Sequence, residues 1–276
     1  MKLHDLLTVE TRNATDTTAT LVFHDQSVEQ IESVTGILRG PRCRFSKTLP
    51  STFSFEGKEL LVTEPCYWSP RLPFLYEIEL EVNLQDGTSL QFEHRLGINR
   101  WDIHHQNLRL EGKRTVLRGG SVSEFEADLA RELELTVFTE GPSEDILRKA
   151  SESGVPLVVD LRGQSSQASQ LAMLTWYPAA VFAVFDGSTI SKEYDGLKLA
   201  HAITADATQE SVAYLADAIL VELQPGERPP SWLSAINKPI MVRELADSIT
   251  GEIRNKCDKL QAYLAPEFDC AGYFVG

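Results

Sequence analysis

The stretch Ser143-Glu144-Asp145-Ile146-Leu147-Arg148-Lys149-Ala150-Ser151-Glu152-Ser153-Gly154-Val155-Pro156-Leu157-Val158-Val159-Asp160-Leu161 decides the fold class. Residues 143–153 read as a helix that opens on acidic side chains, which complement the positive end of the helix dipole. Gly154 follows as a stop. Residues 157–161 are then a continuous apolar run, the pattern of a strand buried on both faces. Helix, stop and buried strand in this order make up part of a βα unit, and such units build parallel sheets.

The same alternation continues on both sides. Strand candidates fall at 116–118, 135–139, 157–161, 181–185, 200–204, 218–222, 239–243 and 272–275. Helical segments are expected at 124–134, 143–153, 167–176, 192–199, 209–216, 231–236 and 249–264. On the first of these, Phe125, Leu129 and Leu133 form an apolar stripe. Eight strands joined by short connections predict a compact (β/α)₈ barrel without the last helix, smaller than the roughly 200 or more residues usual for that fold. An apolar flank left bare would need cover from the rest of the chain or from a second copy, so a homo-oligomer is one expectation.

Upstream, short runs at 6–10, 18–23, 33–38, 51–55, 59–63, 74–84 and 89–96 are separated by turn residues. Tyr76, Ile78, Leu80 and Val82 alternate with Leu75, Glu77, Glu79 and Glu81, as on a half-buried antiparallel strand. Asp86-Gly87 is a hairpin signal. Seven such strands predict an immunoglobulin-like β-sandwich. The expected division is a sandwich over 1–102 and a barrel over 103–276.

Several segments resemble family 2 glycoside hydrolases, the β-galactosidase and β-glucuronidase type. Trp68-Ser69-Pro70-Arg71-Leu72-Pro73-Phe74-Leu75-Tyr76 is similar to that family's "W-S-P-x-x-P-x-L-Y", and Leu96-Gly97-Ile98-Asn99-Arg100 to its sandwich exit strand. Leu108 to Gly120 looks like its "F-x-x-N-G-K-P-v-x-L-R-G-v-N" barrel entry. Gly154-Val155-Pro156-Leu157-Val158-Val159-Asp160, Tyr177-Pro178-Ala179-Ala180-Val181 and Lys238-Pro239-Ile240-Met241-Val242-Arg243-Glu244 match further stretches in order.

The resemblance implies glycoside hydrolysis by two carboxyl groups, a proton donor at the end of strand four and a nucleophile at the end of strand seven. Glu244 holds the nucleophile position, but Gly187-Ser188 stands where the family has Asn-Glu, and a serine cannot replace a glutamic acid as proton donor. The family's strand-one "N-R-H-E" is replaced by Gly120-Ser121-Val122-Ser123, and its strand-two arginine by Thr139. The scaffold is therefore expected without the full catalytic set. Three readings follow: a degenerate, non-catalytic homologue with a carbohydrate-binding or scaffolding role; an atypical glycosidase using Glu244 with Asp186; and an interaction module assembling through the barrel flank. Asp160, Glu222 and Glu140 also sit at expected strand ends and are substrate-binding candidates. Glu244 is alternatively a carboxylate paired with Arg118, Arg162 or Arg243. Trp176 is a candidate sugar platform or a packing residue, and Asp186-Gly187-Ser188 a turn.

Composition limits the partners. A formal charge of −14 and a pI near 4.9 repel nucleic-acid phosphates and anionic lipid surfaces, so neither nucleic acid nor membrane is expected. No run approaches the roughly 20 apolar residues of a membrane span. Cys43, Cys66, Cys257 and Cys270 are widely spaced and form no C-x-x-C pair, which argues against a zinc site; free thiols suggest a cytoplasmic setting. Adjacent His104 and His105 read as a polar linker, and no phosphate loop, dinucleotide fingerprint or cofactor motif is present.

Overall fold

The structure, a computed structural model, describes residues 1–26, 31–164, 166–186, 196–213, 215–247 and 250–276. A short helix α1 (Leu3–Leu6) leads into seven strands: β1 (Leu7–Arg12), β2 (Thr18–Asp25), β3 (Ile31–Arg42), β4 (Ser51–Glu56), β5 (Glu59–Thr63), β6 (Leu75–Leu84) and β7 (Ser89–Leu96). They form two antiparallel sheets, β1-β2-β5 and β4-β3-β6-β7, the expected immunoglobulin-like sandwich. Alternation along β6 puts Tyr76, Ile78, Leu80 and Val82 into the core.

A three-stranded meander follows, β8 (Trp101–His104), β9 (Asn107–Leu110) and β10 (Lys113–Arg114). Its type was not foreseen, and a division after residue 102 cuts through β8. His105 Nδ1 lies 3.1 Å from Asn237 Oδ1, so the second linker histidine is docked on the barrel.

The barrel closes in sequence order: β11 (Leu117–Ser121), β12 (Thr136–Glu140), β13 (Leu157–Asp160), β14 (Ala180–Phe185), β15 (Lys198–Thr204), β16 (Ala218–Leu223), β17 (Ile240–Glu244) and β18 (Gly272–Val275). Helices α2 (Ala127–Glu132), α3 (Glu144–Ser153), α4 (Gln167–Leu174) and α5 (Ile253–Leu264) flank it. The deciding stretch forms as expected. Ser143 caps α3 by accepting the Ile146 N–H, and Gly154 at φ 74° terminates it.

Three helical expectations are corrected. Residues 198–204 are strand, and 192–195 lie outside the described residues. Among the described residues of 209–216 only a 3₁₀ turn, Gln209–Ser211, forms, and the Ala213 N–H goes to His201 Nδ1 at 3.1 Å instead of to a helical carbonyl. Ser231–Ala235 is likewise 3₁₀, following Pro229-Pro230.

One hydrophobic core runs through both domains. Trp68 of the sandwich donates its indole N–H to Ser151 O of α3 (2.8 Å), and Trp176 of the barrel donates its own to Leu7 O of β1 (2.9 Å). A Cβ on Gly97 would meet Pro178 at 2.6 Å and Trp68 at 3.0 Å, so glycine is required by that contact. Arg131 ties the Pro70 and Ser153 carbonyls together at 2.5 and 2.7 Å. Three of the segments that carry the family resemblance, those of Trp68, Gly97 and Pro178, thus meet at the domain interface.

Candidate functional site

Side chains alternate along a barrel strand, so parity decides what reaches the mouth. Ala218 and Leu220 of β16 and Met241 of β17 belong to the central core. Ile219, Val221, Ile240 and Val242 pack instead beneath α5, with Ile253, Cys257 and Leu260. Glu222 and Arg243, register partners, continue the inward series; Glu244, paired with Leu223, continues the outward one.

The inward charges form one connected lattice. Asp160, with its side chain 5% exposed, accepts the Arg162 backbone N–H and Nε, both at 3.0 Å, and Arg162 Nη2 at 2.6 Å. The same guanidinium grips Glu222 in a two-pronged pair of 2.8 and 2.7 Å. Arg243 reaches Glu222 at 3.2 Å, the Ser121 hydroxyl at 3.1 Å and Gly276 O at 2.6 Å, and lies 4.1 Å over the Phe138 ring. Bidentate charge-assisted bonds of this kind are strong and directional. The Arg162 hydrogen bond holds the Glu222 carboxyl below its usual value, and the two carboxylates raise Arg162. Burial pulls the other way on Arg243, lowering it.

Of the expected site residues, the structure brings Asp160 and Glu222 together, through Arg162. Glu140 is exposed and in register beside Asp160. Asp186 is exposed just past β14 and touches His201 through its backbone. Glu244 ends β17, and its carboxylate takes part in no ion pair among the described residues. Its alternative partners are all engaged elsewhere: Arg118 with Asp258 (3.2 Å) and Gln261 (2.5 Å), and Arg162 and Arg243 as above. Ser188 lies outside the described residues. Trp176 is corrected as a sugar platform: it is 2% exposed, edge-on to His94 (5.4 Å) and 6.1 Å from Phe23, so no ring face is open. Arg162, Arg243 and Ser121 are what sequence reasoning missed as one unit. The available signal was an arginine two residues after Asp160 and another next to Glu244.

Solved structures share the overall fold. β-D-Glucuronidase from Dictyoglomus thermophilum superimposes with a TM-score of 0.65 at 14% identity, covering 98% of this chain and 61% of its own. The Lactobacillus rhamnosus β-glucuronidase gives 0.68 at 16%, with 98% and 60% covered. The chain has the β-glucuronidase fold. It spans about three fifths of the length of these glucuronidase-fold chains. A curated β-galactosidase of Oenococcus oeni is 36% identical over 70 residues, which is 25% of this chain and 7% of that protein. No family model matches. On this glucuronidase fold the mouth is a lattice of two arginines and two carboxylates, an arrangement suited to holding charge in place.

Proposed function

We propose that the chain is a family 2-like glycosidase scaffold that does not hydrolyse ordinary glycosides and keeps a carbohydrate-binding or scaffolding role. The observation that carries this reading is the engagement of both inward carboxylates, Asp160 and Glu222, by the Arg162 guanidinium. A general acid must hold its proton near neutral pH, which takes a raised pKa; Glu222 is shifted the other way. The opposite parity of Arg243 and Glu244 further supports the reading, since it is the arginine that continues the inward series.

The competing reading is an atypical glycosidase with Glu244 as nucleophile and Asp186 as acid. They stand at the ends of β17 and β14, with β15 and β16 between them. The experiment is turnover of 4-nitrophenyl β-D-glucuronide and β-D-galactoside by the wild type, Glu244→Gln and Asp186→Asn. Three indistinguishable, background-level rates are expected. Wild-type turnover abolished by Glu244→Gln, with the fold intact, would replace the proposal with the glycosidase.

A further inference from the structure

A cavity separate from the mouth opens on the N-terminal side of the barrel. It encloses about 480 Å³ between the Pro70-Arg71 connection of the sandwich, Trp101 of β8, and the first residues of β11 and β12. Leu117 and Thr136 begin their strands, whereas the lattice residues Asp160 and Glu222 stand at or beside the far ends of theirs.

Positive charge gathers on its walls. Four guanidiniums, Arg71, Arg118, Arg131 and Arg254, line it together with one carboxylate, Glu134, on a chain whose formal charge is −14. Such a local reversal of sign concentrates anions. Arg118 is paired with Asp258 at 3.2 Å, and Arg254 lies 3.9 Å from Glu134. Arg131 and Arg71 have no carboxylate partner among the described residues. Arg131 donates to the carbonyls of Pro70, Ser153 and Arg71 at 2.5, 2.7 and 2.9 Å and lies 3.7 Å over the Phe45 ring, contacts that leave its charge in place. The Arg71 side chain is exposed, and only its backbone oxygen is bonded. Two enclosed N–H groups on the same walls also lack acceptors. One is the indole N–H of Trp101, a residue 8% exposed; the other is Arg118 Nε, near Asp258 but outside hydrogen-bonding geometry. Enclosed polar groups are normally satisfied, and each exception calls for an explanation. An anion in the cavity compensates the two unpaired guanidiniums and, with a small turn of the indole, gives Trp101 its acceptor.

We propose that this cavity binds a small phosphomonoester, with the phosphate on Arg71 and the carbon body against Val116, Leu117, Leu135 and Pro156. Two guanidiniums without carboxylates call for two negative charges, and a phosphomonoester carries about −1.5 to −2 at neutral pH. Arginine forks match phosphate oxygens in geometry as well as charge. The volume falls within the roughly 300–1,000 Å³ of small-molecule sites. This inference is independent of the reading of the mouth.

The test is calorimetric titration of the full chain with glucose 6-phosphate and glycerol 3-phosphate, alongside glucose and inorganic phosphate at matched ionic strength. At least one ester should bind one per chain, with glucose and inorganic phosphate at least about tenfold weaker. Arg71→Met should weaken that ester by about 10- to 100-fold, the worth of a charge-assisted bond. Arg42→Met, at an exposed arginine outside the cavity, should leave it unchanged. Should Arg71→Met not fold, protection of Arg71 from phenylglyoxal by the ester, read by peptide mass spectrometry on the wild type, gives the same answer. Binding of neither ester, equal binding of glucose or inorganic phosphate, or equal losses in Arg71→Met and Arg42→Met would overturn the proposal. So would ester binding that is insensitive to both Arg71 readouts.

Discussion

Replacing Arg162 with methionine tests the mouth lattice most sharply. The change removes the guanidinium from Asp160 and from Glu222 together. Asp160, 5% exposed, keeps a single backbone N–H, and Glu222, 15% exposed, keeps Arg243. Removing one partner of a buried ion pair costs about 3–5 kcal/mol. Arg162 is itself 27% exposed, so water replaces part of the loss, and about 2–4 kcal/mol at pH 7 is the expected cost. For a domain of this size that lowers Tm by about 5–12 °C. The pH dependence has a definite sign. In the wild type the Glu222 carboxyl lies below its usual 4.5. Its contribution is therefore complete above 4.5 and fades as pH falls through the lower, folded value. In the variant, burial without Arg162 drives the same carboxyl upward, so protonation relieves it, and the Tm gap should narrow between pH 7 and about 4. Far-UV circular dichroism melts across that range measure both. A loss under about 2 °C at pH 7, or a gap independent of pH, would refute the reasoning.

Other perturbations probe the scaffold. A Cβ at residue 119 would sit 1.5 Å from the Thr136 carbonyl oxygen, so Gly119→Ala should cost about 3 kcal/mol or more, seen as a lower urea midpoint. Trp176→Phe leaves Leu7 O without its donor and opens space beside Phe23; about 2–3 kcal/mol and faster hydrogen exchange in β1 are expected. Ser143→Ala removes the α3 cap at about 1 kcal/mol, with exchange speeding in the first turn of α3 and not in α5. The Cys257 thiol, pushed up to about 11 by burial, should resist iodoacetamide at pH 8 in the folded protein and react only on unfolding.

The fold was legible because its signals are local. Buried runs such as residues 157–160, the Gly154 stop and the 86–87 turn act over a few residues and survive in any context. The helical expectations at 209–216 and 231–236 failed where a distant or covalent constraint intervened, His201 taking the Ala213 N–H in one and the Pro229-Pro230 pair in the other. The candidate site was less legible because strand parity, not residue type, sorts the mouth. Arg243 and Glu244 are adjacent in sequence, yet only Arg243 is bonded into the lattice among the described residues. The partners that fix Arg162 come from β13 and β16, and Glu222 lies sixty residues from Arg162 along the chain. The resemblance segments supply interface contacts, Trp68 on Ser151 and Gly97 under Pro178, so they announce the scaffold and carry no information about whether chemistry survives.

The most direct test of the central claim is covalent labelling of the mouth. A cyclophellitol aziridine carrying a carboxylate bonds covalently to a Bacteroides uniformis β-glucuronidase that shares this fold. Intact-mass measurement after incubation with that reagent, with such a glucuronidase as positive control, asks whether this chain presents a nucleophile to a sugar-shaped electrophile. The account predicts full labelling of the control and none of this chain. A one-to-one adduct mapped to Glu244 and lost in Glu244→Gln would contradict it.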